Sequence, residues 1–112
     1  MRKIKFRIWD IKSKRWAKMF NIDLLDIPKF DIAEINQYTA LKDKNNKEIY
    51  EGDIVKLRTN HGIGVIKYSD EWGAFVVEYI KPRPLAVLGM NYYKEDIKVI
   101  GNIYENPELI KE

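Results

Sequence analysis

The 112-residue chain contains no cysteine. That excludes disulfides, cysteine-ligated zinc and thiol nucleophiles, and a chain without disulfides is not built for an oxidising compartment. Histidine occurs once, as His61. Long hydrophobic runs are missing too. The longest near-continuous ones, 74–77 and 85–90, are far too short to cross a bilayer. Arg2, Lys3 and Lys5 precede alternating charged and apolar residues, not an apolar stretch, so no secretory leader is expected. There is no repeat, no low-complexity stretch and no long linker. These absences lead us to expect a soluble, intracellular protein with no membrane contact.

Aromatic residues, by contrast, are plentiful: 14 Phe, Tyr and Trp supply bulk for a core, and the length suffices for one without staples. The net charge of +3 hides an asymmetry. Residues 1–20 carry eight Lys or Arg against one acid, whereas 21–50 and 92–112 are each net −2. A one-sided basic surface attracts phosphate backbones or acidic protein patches.

The apolar residues alternate with the period of strands. Lys3–Asp10 places Ile4, Phe6 and Ile8 on one face and Lys3, Lys5, Arg7 and Trp9 on the other. A polar turn over 10–14 and a return strand over 15–20 complete a hairpin. Residues 21–37 are ambiguous: Asn21 and Asp23 suit a helix start, but Pro28 interrupts it. Further strands are expected over 37–41, 48–50, 53–58, 63–68, 74–80 and 96–104. Pro82 and Pro84 bar a central strand between the last two. Gly101 suggests a bulge or a close backbone approach, and Asn106-Pro107-Glu108 a single helical turn.

Each candidate for chemistry has a plainer reading. His61 beside Gly62 suits a polar turn residue better than a general base, because no nucleophile motif accompanies it. Gly62-Ile63-Gly64 lacks the third glycine and the helix of a phosphate loop, so a hairpin turn is expected. Asp23, Asp26, Asp31 and Glu34 lack the spacing of a calcium loop and read as a solvated surface. No catalytic residue, metal site or cofactor is therefore expected. Two surfaces remain. Lys3, Lys5, Arg7 and Trp9, extended by Lys12, Lys14 and Arg15, combine cations with a ring, as single-stranded nucleic-acid sites do, and they equally suit an acidic protein. Trp72, in a turn, with Tyr79 and Tyr92, offers anchors for a protein interface.

Three blocks, KFRIWD at 5–10, YTALKDKNNKEIYEGDIV at 38–55 and VIGNIYENPELI at 99–110, together resemble the YopX family of bacteriophage and prophage proteins. The family usually has glycine where Ala40 and Asn46 stand. Asn46 can hold a left-handed turn at modest cost; Ala40 would be strained there, so extended backbone is expected at Ala40. The resemblance implies a two-part, mainly β fold in a phage or prophage of low-GC Gram-positive bacteria, placing the protein in the host cytoplasm. It carries over no functional residues.

The expectation is thus a mainly β fold with little helix: a β-rich hairpin region over 1–50, then a small SH3-like barrel over 51–112, forming one compact unit. The expected role is a non-catalytic accessory module that binds another protein or its own copies, with nucleic-acid binding by the basic hairpin as the alternative.

Overall fold

A computed structural model describes residues 4–16, 33–58, 61–80, 86–90 and 92–111. The calls on Lys3, on the rest of the return strand and on the acidic residues Asp23, Asp26 and Asp31 lie outside these. The described residues form two antiparallel sheets. The first has the order β2-β1-β3-β4, from β1 (Phe6–Asp10), β2 (Arg15–Trp16), β3 (Ala33–Lys42) and β4 (Glu48–Tyr50). The second has the order β8-β7-β6-β5-β9, from β5 (Asp53–Leu57), β6 (Ile63–Ser69), β7 (Ala74–Tyr79), β8 (Ala86–Val87) and β9 (Ile97–Asn102). Among the described residues the helical content is two short 3-10 turns, Lys94–Asp96 and Pro107–Ile110.

The first hairpin forms as expected, with Trp9 opposite Trp16. Its main partner is distant in sequence, however: β1 pairs along its whole length with β3, Phe6 opposite Gln37 through Asp10 opposite Ala33. Both faces of β1 are covered, since Ile8 and its neighbour Trp9 are both buried. The alternation of this strand is as expected, but neither of its faces is open to solvent.

The expected SH3-like barrel is not there. The five-stranded sheet is open, and β8 and β9 stand at its two edges. Two physical causes are visible. Strand β8 is only two residues long. The outer edge of β9 is already occupied: the Ile97 carbonyl accepts the Lys44 N–H at 3.0 Å, and the Val99 N–H donates to Asp43 Oδ2 at 2.9 Å. An edge so occupied cannot pair with β8, and the occupation protects it from foreign strands.

One face of this sheet carries Val55, Leu57, Ile66, Val77, Ala86, Leu88, Ile97 and Val99, onto which β4 of the first sheet tucks Ile49. Ile54, Val65 and Val76, of opposite parity, are buried on the other face. Gly64 is required by this packing. A Cβ there would lie 2.4 Å from Val77 Cγ1, so Gly64 is a strand residue kept small by its neighbour on the paired strand, and Gly62 lies in the β5–β6 hairpin connection read from sequence. Gly101 fulfils the expectation of a bulge, and what approaches it is a side chain. Its strand gains a residue against β5, between the Ile54–Gly101 and Val55–Val99 pairs, and a Cβ on it would lie 2.6 Å from Asn106 Oδ1.

Candidate functional site

The sequence blocks 5–10, 38–55 and 99–110 meet where the two sheets join. Arg7 of β1 is the centre. Its guanidinium pairs with Asp53 Oδ1 at 2.8 Å, donates to the Glu51 carbonyl at 3.1 Å and to Asn36 Oδ1 at 3.1 Å. It also lies over the rings of Trp16 at 4.3 Å and Tyr50 at 4.8 Å. Trp9 stacks on Tyr104 at 5.5 Å and meets Trp16 edge-on at 5.0 Å. Tyr104 Oη accepts a hydrogen bond from Asn36 Nδ2 at 2.9 Å.

Two buried aspartates bracket β4 and tie the sheets in opposite directions. Asp43, 1% exposed, belongs to the turn after β3. Its Oδ1 accepts the N–H groups of Asn45 and Lys47, and its Oδ2 accepts Val99 N–H of the second sheet. Burial by itself would raise this carboxyl; the three amides, from Val99, Lys47 and Asn45, outweigh it and hold the pKa below the ordinary 3.8. Asp53, 2% exposed, opens β5 and reaches back to Arg7, with Tyr50 N–H on its other oxygen at 2.8 Å. Here burial is the largest influence and pushes the carboxyl above 3.8, against the pull of Arg7 and of the Tyr50 amide.

The junction leaves a polar cleft of about 540 Å³ lined by Arg7, Trp16, Lys47, Asp53, Asn102 and Glu105, among others. Its groups are engaged with one another. Glu105 accepts Trp16 Nε1–H at 2.7 Å and Asn102 Nδ2–H at 2.9 Å, and these bonds, that from Asn102 foremost, lower its pKa. Among the described residues every buried side-chain nitrogen or oxygen has a partner. Groups held in this way cross-link the fold.

The basic-hairpin residues therefore divide. Arg7 is consumed in the junction. Trp9 is 7% exposed and is packed, not presented. Lys5 pairs with Glu48 and lies over the Tyr38 ring. Lys12, Lys14 and Arg15 are exposed on the turn. That turn is ordered by Asp10, whose Oδ1 accepts the N–H groups of Lys12 and Ser13. Its Ile11 is also exposed.

The aromatic candidates divide likewise. Tyr92 is 2% exposed and bonds His61 Nδ1 at 2.8 Å and the Tyr79 hydroxyl. Tyr79 is half-buried against the core. His61 thus joins an internal tyrosine pair, and among the described residues no group of three or more His, Asp or Glu could hold a metal ion. Trp72 is 62% exposed, in the β6–β7 turn whose backbone is held by Trp72 N–H on Ser69 Oγ at 3.2 Å. Sequence reading missed one companion, Met90. Tyr68 packs edge-on against Phe75 at 5.2 Å, and Met90, in the turn after β8, is 75% exposed. Since β8 runs antiparallel to β7, all of these lie at one end of the sheet, where the core face runs out into solvent. The only signal in the sequence was continued strand parity: Tyr68 shares its parity with Ile66, and Phe75 with Val77.

Among the described residues no helix is long and apolar enough to cross a membrane. Comparison with curated proteins gave no match. The chain is similar over 97% of its length to the crystal structure of protein EF1440 from Enterococcus faecalis, with a TM-score of 0.64, 27% identity and 99% of that chain covered. It is similar over 99% of its length to the crystal structure of protein yopX from Bacillus subtilis, with a TM-score of 0.58, 21% identity and 100% of that chain covered. The family model described as YopX protein matches residues 27–111, which include the second and third of the three blocks. The chain belongs to the YopX family of bacteriophage and prophage proteins.

Proposed function

We propose that the protein acts by binding another polypeptide, without catalysis, through the aromatic end of its five-stranded sheet. The observation that carries this reading is the exposure of Trp72, Tyr68 and Met90 together at that end. Large apolar side chains exposed at one end of a sheet are the usual anchors of protein interfaces, and the turn that carries Trp72 is held by its own hydrogen bond to Ser69. The engagement of the buried aspartates and of His61 supports the same reading. Asp53 is bound to Arg7, Asp43 to three amides, and His61 to Tyr92. The nucleic-acid alternative has less behind it, since Arg7 and Trp9 of its expected face are packed in the junction.

The test compares wild type with a Tyr68→Ala, Trp72→Ala variant by light scattering and by capture from a host lysate. The reading predicts an association, with itself or with another protein, that the variant loses. A strictly monomeric wild type that captures nothing would contradict it.

A further inference from the structure

The aromatic end and the β1–β2 turn are complementary in charge and form, and from this we infer that the partner is a second copy of the chain. In this arrangement the β6–β7 turn of one copy docks head-to-tail on the β1–β2 turn of the next. The inference rests on the binding reading above and names its partner.

Trp72 is immediately preceded by Asp70 and Glu71, both exposed. Ile11 is followed by Lys12, Lys14 and Arg15, all exposed. Each turn thus presents one apolar side chain beside charges of a single sign, and the signs are opposite. The one acid of the basic turn, Asp10, directs Oδ1 into that turn's own amides. An indole face also accepts a lysine or arginine cation directly.

Both turns are already ordered: Asp10 holds one, closed also by Lys14 N–H on the Asp10 carbonyl at 2.8 Å, and Ser69 holds the other. Pre-ordered turns lose little freedom on docking. Because the two surfaces differ, a contact made at one turn of each copy is heterologous and propagates to a ring or a filament.

Charge reversal tests this on the full chain. One variant carries Lys12→Glu and Lys14→Glu; the other carries Asp70→Lys and Glu71→Lys. All four positions are exposed, and circular dichroism of each variant confirms its folding. Light scattering and sedimentation are run at low and high salt.

We expect wild type to associate more tightly at low salt and each variant alone to associate about tenfold more weakly. We expect an equimolar mixture of the two variants to recover association, because the mixture restores opposite signs at every contact. A two-fold interface between like surfaces would show no such recovery.

Association unchanged by either reversal, or lost and not recovered on mixing, overturns the inference while leaving the binding reading in place. A monomeric wild type that still captures another protein through Trp72 does the same. A monomer that captures nothing overturns both.

Discussion

Ala40 sits in the left-handed region, with φ of 71°, where extended backbone was expected. The cause is a register shift: four steps along β3, from Tyr38 to Lys42, face two along β4, from Tyr50 to Glu48. The surplus backbone must turn back on itself, and Ala40 takes that conformation. A left-handed L-residue costs about 1–2 kcal/mol, and glycine escapes this at an entropic cost of about 0.5–1 kcal/mol. Ala40→Gly is therefore predicted to stabilise the protein by roughly 0.5–1 kcal/mol, read as a rise in Tm. Asn46, at φ 64°, differs because its Oδ1 accepts a bond from Lys94 Nζ, so Asn46→Gly should gain less.

At the same scale, the two buried aspartates respond to acid in opposite senses. Asp43 has a folded pKa below its unfolded value of 3.8, so its ionised form contributes stability above 3.8 that is lost as pH falls through the folded value. Asp43→Asn is predicted to lower Tm at neutral pH, with the gap to wild type closing in acid. Asp53 is raised, so the folded state holds that proton to higher pH than the unfolded chain, and this contribution falls as pH climbs from 3.8 through the folded value. Removing Arg7 would strand Asp53 as a buried, unpaired charge. Arg7→Met is predicted to cost about 3–5 kcal/mol in denaturant unfolding, with part recovered in acid as Asp53 takes a proton.

At the scale of elements, the turn over 43–47 does more than reverse the chain. Through Asp43 and Lys44 it supplies the partners of β9's outer edge, and it thereby keeps the second sheet open. The close contact of Gly64 with Val77 on the paired strand sets a second constraint. Gly64→Ala is predicted to destabilise by about 1–3 kcal/mol, because Val77 is β-branched and buried and cannot yield.

Most strands were legible because their alternation is local: β4, β5, β6 and β7 lie within a residue or two of where parity placed them. Pairing was not. Nothing in the alternation of 4–10 reveals that β1 seeks β3, nor that Arg7 finds Asp53, since both depend on contacts far apart in sequence. Barrel closure failed for the same reason. Short alternating strands look alike in an open and a closed sheet, and the edge occupation that decides between them comes from the turn at Asp43 and Lys44, outside the sheet. Trp72 reads from sequence as a turn residue and lies in the β6–β7 turn; Met90 is brought to the same end only by the pairing of β8 with β7.

At the scale of the whole molecule, the two sheets share one polar junction and leave one end of the second sheet apolar and exposed. The junction accounts for the sequence blocks as architecture, since Arg7, Asp43, Asp53, Asn102 and Tyr104 link the sheets or order the chain around them. Function is assigned instead to the open end. We propose that this end binds a second copy of the chain, and light scattering across a range of protein concentration is the test. We expect a mass that climbs above the 13.3 kDa of one chain as concentration rises, and that returns toward it in Tyr68→Ala, Trp72→Ala. A mass that stays at 13.3 kDa throughout, or a rise that the variant leaves unchanged, would contradict it.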